Sequence, residues 1–346
     1  MVLQYVMIVW RKRKGVIDMS QEITVLTKQA QDFSITLQNL QKEISKVIVG
    51  QEKIIEKLII ALISQGHVLL EGVPGLAKTL LVQTLADCIN SKFVRLQFTP
   101  DLLPADILGT KIYDHNSTSF QTIKGPIFSN FILADEINRA PPKVQSALLE
   151  AMQENQVSIQ GETHQLEKPF FVMATQNPVE SEGTYKLPEA QVDRFMFKIL
   201  ISYPTIEQES EIIQRFTEDI SYKVSRILSD DKLLEIQDFI PKIYADEKIR
   251  NYITQIIDAT RFPNNYGLQL SNLIEYGASP RASIWLTISA KANALLQGRG
   301  YVIPKDVQDV VYEVLRHRII LTYEAESEEI TTDDIIQKII EKITVP

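Results

Sequence analysis

Apolar and polar positions alternate at helical spacing from about residue 20 to 64. Within that stretch Ile54, Ile55, Leu58, Ile59 and Leu62 form one apolar stripe of the kind that faces a core. The pattern then changes. Short apolar runs at 67–71, 93–98, 131–135, 170–175 and about 195–200 alternate with helical segments. Such alternation predicts an α/β domain with a mainly parallel sheet. Two segments interrupt it. Residues 109–113 and 119–123 flank a polar turn at 114–118 and predict a hairpin; residues 157–159 and 163–166 flank Gln160-Gly161-Glu162 and predict another. After Tyr203-Pro204 no strand pattern returns, and helical periodicity dominates, as at Ile212, Ile213 and Phe216. The expected organisation is an extension over 1–40, an α/β core over 41–204 and an all-α region over 205–346. In the last region Ser279 and Pro280 read as N-cap and first helical residue. Arg281 then falls in the first turn, where a cation opposes the helix dipole, which suggests placement for an external anion. The last helix is expected to start near Thr331, with Asp333 and Asp334 in its first turn and Ile335, Ile336, Ile339, Ile340 and Ile343 on its apolar face.

Length and composition narrow the class. The chain has 346 residues, 45% of them hydrophobic, enough for two domains and an ample core. A single cysteine, Cys88, excludes a disulfide framework and a cysteine-rich zinc site and suits a cytoplasmic protein. His67 enters a strand and His317 sits between two arginines, so both read as structural. The formal charge is −8, from 36 basic and 44 acidic residues, which argues against a protein that tracks nucleic acid. The first residues are unusual: an apolar stretch to Trp10 precedes Arg11-Lys12-Arg13-Lys14. A signal peptide has the reverse order, and ten residues are too few to span a bilayer. Over 1–18 a disordered tail, a weak membrane-surface anchor and translated sequence upstream of a start at Met19 all remain open; the last is favoured.

Three strand ends carry the chemistry. Gly72-Val73-Pro74-Gly75-Leu76-Ala77-Lys78-Thr79, followed by Leu80, comes straight after the first apolar run. A strand, a glycine-rich loop and a helix start converge backbone N–H groups on an anion. Lys78 adds charge for the outer phosphates, and the Thr79 hydroxyl can ligate Mg²⁺. Ala77 stands where a glycine is usual, which requires a negative φ such as the first helical turn provides. The run 131–134 ends in Asp135 and Glu136, placed to hold a Mg²⁺ shell and to polarise water; a solvated acidic turn is common for any one strand but is disfavoured 56 residues after Thr79 in a chain that already carries a phosphate loop. The run 170–175 ends at Gln176-Asn177. The Asn177 amide can orient water toward a γ-phosphate, or Asn177-Pro178 can be only a turn.

The four segments GVPGLAKT, LADEINRAPPKVQSALLEAMQE, ATQNPVESEGTYKLPEAQVDRF and GASPRAS occur in this order. Together they resemble the MoxR family of AAA+ ATPases over roughly residues 40 to 325. Ala77 fits that family's loop, while Lys186 departs from an expected proline. The resemblance implies a P-loop core followed by a helical lid, and Mg²⁺-dependent hydrolysis of ATP in a ring, a hexamer. It implies an adenine pocket at Ile48 and Val49, an arginine finger at Arg194 acting on the neighbouring subunit, and a second arginine, Arg281, acting from the lid. Arg139 is a lesser candidate for the subunit interface. The two hairpins resemble insertions that point to a ring's pore. The implied role is chaperone-like remodelling, often of proteins with a von Willebrand factor A domain. Two other classes stay open. A nucleic-acid motor is disfavoured because Asp101, Asp106 and Asp114 offset Lys111 and Lys124 in the first insertion. A switch with little turnover is disfavoured by Glu136.

Overall fold

The computed structural model describes residues 19–73, 75–115, 118–177, 183–217 and 223–346. The expectations for residues 1–18 and for Pro74 lie outside the described residues. Two helices come first, α1 (Met19–Ser45) and α2 (Glu52–Ile63). Ala30, Phe33, Leu37, Leu40 and Ile44 recur every three or four residues of α1 and are buried. That face packs on α2 and on a long helix near the end of the chain.

The strands that follow are β1 (Val68–Glu71), β2 (Phe93–Gln97), β3 (Gly109–Asp114), β4 (Ser119–Lys124), β5 (Phe131–Asp135), β6 (Gln156–Ile159), β7 (Glu162–Gln165), β8 (Phe171–Gln176) and β9 (Phe197–Leu200). Five of them form a parallel sheet in the order β2-β5-β8-β1-β9. The central strands read as unbroken apolar runs because helices cover both faces; Phe131 to Ala134 and Phe171 to Ala174 are all buried. The helices of this part are α3 (Lys78–Ile89), α4 (Pro104–Leu108), α5 (Pro142–Glu154) and α6 (Glu189–Val192). The two predicted hairpins are β3-β4 and β6-β7, and Lys111 of the first pairs with Glu162 of the second at 2.7 Å.

Register fixes what the sheet presents at its edge. Glu71 of β1 lies opposite Gln176 of β8, and Gln97 of β2 lies opposite Asp135 of β5. The carboxyl ends of four strands therefore stand level, where open α/β sheets bind ligands.

The remaining helices are α7 (Ile206–Thr217), α8 (Asp230–Phe239), α9 (Glu247–Arg261), α10 (Pro280–Leu296), α11 (Pro304–Gln308), α12 (Val311–Leu315), α13 (Tyr323–Ser327) and α14 (Thr332–Lys342). The expectation of no further strand needs one correction. β10 (Ile274–Tyr276) and β11 (Ile320–Leu321) form a short antiparallel pair. Runs of two or three residues are too short to give a period in the sequence. The last helix begins as its signals imply, with Thr331 and Asp334 forming a reciprocal capping box.

Candidate nucleotide site

The phosphate loop leaves the end of β1 between β8 and β9. Gly72 is buried there, and a Cβ on it would stand 2.9 Å from the Ile201 carbonyl oxygen. Gly75 has φ +87° and open space around it, so the loop needs glycine for its backbone rather than for room. Ala77 corrects the sequence reading. Its φ is +54°, and it caps α3 from outside the helix, accepting the first helical hydrogen bond from Leu81 at 2.9 Å. The chain must reverse at that point to enter α3. A left-handed alanine there stores about 1 kcal/mol or more of strain.

Lys78 donates to the Gly72 carbonyl oxygen at 2.5 Å, closing the loop on itself. Burial lowers its pKa, against the opposing pull of the Asp135, Glu136 and Glu71 carboxylates. A partly desolvated ammonium favours an anion as partner, and the three acids beside it favour an anion that brings a cation with it. Thr79 follows in the first turn of α3, half-buried.

Asp135 and Glu136 are held in a network that the sequence did not disclose. Thr175 of β8, fully buried, donates to Asp135 Oδ1 at 2.6 Å and accepts from the Glu136 N–H at 2.8 Å. Arg95 of β2 donates to Asp135 Oδ2 through Nε (3.0 Å) and Nη2 (2.6 Å). Gln97 donates to Glu136 Oε2 at 2.7 Å, and Arg139 Nε lies 3.1 Å from the same oxygen. Arg139 is thus paired within its own chain. Glu136 has φ +56°, so its side chain leaves the strand direction. The only trace of Arg95 and Gln97 in the sequence is their i, i+2 spacing, which puts both on one face of β2. Asn177 is buried immediately after β8, the strand between β1 and β5.

Beside the loop is a cavity of about 340 Å³. Ile48, Val49, Gly50 and Gln51 form one wall, Gly75, Leu76, Ala77 and Leu80 another, and Tyr203, Gln208, Ile212 and Phe216 a third. In the sequence Ile212 and Phe216 show only helical periodicity and Tyr203 only the end of the strand pattern, and nothing marks Gln208. Gly50 is pressed on Gln208: a Cβ there would meet its side chain at 2.3 Å. Gln51 Oε1 is buried without a hydrogen-bond partner among the described residues. An apolar slot with one orphan acceptor fits a purine carrying an amino group. The Thr79 hydroxyl and Asp135 carboxylate are oxygen donors that fit a hard cation such as Mg²⁺, which is commonly held by one or two carboxylates and phosphate oxygens.

The arginines sit elsewhere. Arg194 and Arg281 line one cavity of about 250 Å³ with Gln65, His67, Lys168 and Phe170. Those residues lead into β1 and β8, so both arginines lie at the amino ends of the strands. The phosphate loop is at the other end of β1, about 13 Å away along four residues. Ser279 occupies the N-cap position of α10, but its hydroxyl bonds Asp193 (3.1 Å) rather than its own helix. Arg281 pairs with the same Asp193 at 2.9 Å, so the anion inferred for it is, in this structure, a carboxylate of its own chain. Arg194 makes no side-chain hydrogen bond or ion pair among the described residues. His67 and His317 are structural: each ring bonds backbone groups at the edge of the sheet.

A family model for ATPases associated with various cellular activities (AAA) matches residues 67–197, and one for an AAA lid domain matches 270–339. The chain is 48% identical to the chaperone MoxR1 of Mycobacterium tuberculosis, over 90% of this chain and 82% of that protein. The chain belongs to the MoxR family of AAA+ ATPases. This MoxR-family chain is also 43% identical to YeaC of Bacillus subtilis, over 91% and 97% of the two chains. A solved structure described as that of a candidate ATPase from Cytophaga hutchinsonii is 50% identical, covers 94% of this chain and 99% of its own, and superposes with a TM-score of 0.88. The expected AAA+ core with a helical lid is therefore the fold. Among the described residues no helix is long and apolar enough to cross a membrane.

Proposed function

We propose that this MoxR-family ATPase hydrolyses ATP with Mg²⁺ in a ring whose active sites are shared between neighbouring subunits, and uses the cycle to remodel a partner protein. The observation that carries the proposal is the separation of the two charged groups. Lys78, Thr79, Asp135, Glu136 and Asn177 gather at the carboxyl ends of the strands, while Arg194 and Arg281 gather at the amino ends. Two arginines on the far edge of the sheet cannot reach the phosphate loop of their own chain. A neighbour in a ring brings the two edges together.

In this reading the 72–79 loop and Lys78 hold the phosphates, Ile48, Val49 and Leu80 hold the base, and Gln51 Oε1 accepts from its amino group. Thr79 and Asp135 would hold Mg²⁺, which would supply charge neutralisation for the phosphates. Glu136 would orient and polarise the attacking water, and the Asn177 amide would help orient it toward the γ-phosphate. Arg194 and Arg281 supply guanidinium groups to the neighbour's phosphates; the planar, permanently charged fork suits that task. The partner is a protein, one with a von Willebrand factor A domain in the family's usual manner. The β3-β4 hairpin is the element offered to it, since Tyr113 and Phe120 pair at 5.4 Å and Phe120 is 68% exposed. In the proposed division the boundary at 204/205 comes just after β9, the last strand of the sheet, whereas the boundary at 40/41 falls inside α1.

The test is complementation. Arg194→Ala should bind ATP normally and hydrolyse it about 10³-fold more slowly. Mixing it with Lys78→Ala subunits should restore turnover, because each supplies what the other lacks. No rescue in rings shown to exchange subunits refutes shared sites.

A further inference from the structure

Among the described residues the Arg194 side chain has no partner, yet the backbone on either side of it is tied down, chiefly by one buried side chain from the lid. Arg318 follows α12, and its side chain is 1% exposed. Its Nε donates to Asp193 Oδ1 at 2.7 Å. Its Nη2 donates to the carbonyl oxygens of Asp193 (2.9 Å) and Phe195 (2.6 Å), the residues before and after Arg194. Its Nη1 donates to the Met196 carbonyl oxygen at 3.1 Å and to that of Val314. The two residues before it act on the same stretch: Arg316 donates to the Lys198 carbonyl oxygen at 2.8 Å and His317 to that of Phe195 at 3.0 Å.

We infer that Arg318, with Asp193, is a positioning residue for Arg194: it fixes the 193–196 turn and so sets where the Arg194 guanidinium meets the neighbouring subunit. This rests on the reading of Arg194 as a group acting in trans. Three features favour it over a general brace. The guanidinium directs donors to three carbonyls of one turn, those of Asp193, Phe195 and Met196, a use that suits its planar fork. Asp193 is shared with Arg281 and Ser279, so the lid's two arginines and the turn before β9 meet at one carboxylate. Among the described residues the Arg194 side chain has no hydrogen-bond or ion-pair partner, so its direction is set chiefly by its backbone. Burial lowers the Arg318 pKa to about 10 against the pull of Asp193, which keeps the group charged at neutral pH. Any movement of the lid is then transmitted to Arg194 through a clamp that does not titrate under working conditions.

Arg318→Lys keeps the charge and loses the fork; Asp193→Asn keeps the shape and the carbonyl bonds and loses the ion pair. Each variant is assayed for thermal unfolding, for affinity toward a fluorescent ATP analogue, for kcat and KM, and in mixed rings. The expected result is nucleotide affinity and KM within about twofold of the parent, with kcat lowered at least tenfold. Turnover should return on mixing with Lys78→Ala subunits and should not return on mixing with Arg194→Ala subunits, because both lesions then lie on the same side of the interface. Should Arg318→Lys fail to fold, Asp193→Asn carries the same comparison. Parental kcat in a folded variant, or a loss of nucleotide affinity that accounts for the loss of kcat/KM, overturns the inference. The control is Arg194→Ala mixed with Lys78→Ala. Rescue there with parental turnover in both clamp variants removes this inference alone; no rescue there removes the in-trans reading and this inference with it.

Discussion

Lowering the pH from 7 to 5 should destabilise the protein through His67, by an amount the geometry sets. The ring is fully buried where the chain enters β1. Its Nδ1 accepts from the Val172 N–H at 3.0 Å, and its Nε2 donates to the Met152 carbonyl oxygen at 3.2 Å. A second proton has to go on Nδ1, the atom already accepting, and it has to go there without solvent. Burial accordingly lowers the pKa to about 4 from an ordinary value of 6.5. The sign follows directly. Between those values the unfolded chain takes up a proton that the folded protein refuses, so stability is whole above pH 6.5 and falls as pH drops toward 4. Evaluated between pH 7 and pH 5, the loss is about 2 kcal/mol for this one residue. His317, lowered by burial and by Arg318, adds to the same slope. Carboxylates held low by hydrogen bonds, such as Asp246 and Asp334, withdraw their share only further down. The assay is urea unfolding followed by Trp285, which lines the same cavity as His67, at pH 7 and pH 5. The comparison is His67→Asn, which can still accept from Val172 but has no proton to gain. The variant should be less stable at pH 7 and should lose about 2 kcal/mol less than the parent between the two pH values. Equal slopes in parent and variant refute the assignment.

Three further outcomes are expected. Lys78→Ala should lose nucleotide affinity by tenfold or more, and Glu136→Gln should keep it and lose turnover; isothermal titration and a phosphate-release assay separate the two, and parental hydrolysis in both would dismiss the site. Gly50→Ala should weaken ATP binding several-fold with little change in fold, because its φ is +72° and the new methyl would drive Gln208 from its place in the cavity wall; unchanged affinity would mean that this wall does not touch the nucleotide. With a formal charge of −8, hydrolysis should not rise with single- or double-stranded DNA or with RNA at moderate salt, and a strong, salt-sensitive rise would favour a nucleic-acid motor.

The parts of the molecule legible in the sequence are those where local pattern and tertiary position agree. Buried parallel strands show as apolar runs, hairpins as runs around a turn, and the phosphate loop as glycines in a fixed frame. What escaped notice depends on register. Thr175 looks like one more strand residue until β8 is laid beside β5, where it falls between Asp135 and Glu136. Arg95 and Gln97 matter only because β2 pairs with β5 so that Gln97 faces Asp135. The helix opens at Lys78 as the motif implies, so Ala77 lies just outside its first turn, and the left-handed φ it takes there leaves no mark in the sequence. Arg318 could not have been singled out at all. A charged residue following an apolar helix reads as surface, and only the fold shows that it is buried against backbone 125 residues away from it in sequence.

The ion pairs of the site divide by burial, and the division matches what each has to do. Arg95, which holds Asp135, is half exposed, and so is Arg281, which holds Asp193. The Arg139–Glu136 pair is also partly solvated. Exposed pairs of this kind are worth about 0–1 kcal/mol each. A cation or a phosphate can therefore exchange with them at little expense. These pairs satisfy the acids of the strand ends and the lid arginine in this structure, and in the proposed reading they would release them readily to a nucleotide. Arg318 is the opposite case. Breaking a buried, multiply hydrogen-bonded pair by removing one partner costs about 3–5 kcal/mol, far more than a binding event at the surface would displace. Asp193 belongs to both kinds at once, joined to Arg281 by an exchangeable contact and to Arg318 by a fixed one. Under the proposed in-trans reading, a phosphate that draws Arg281 away would leave the clamp on the Arg194 turn in place, and the lid would respond to a neighbour's nucleotide without letting go of the arginine proposed to serve it.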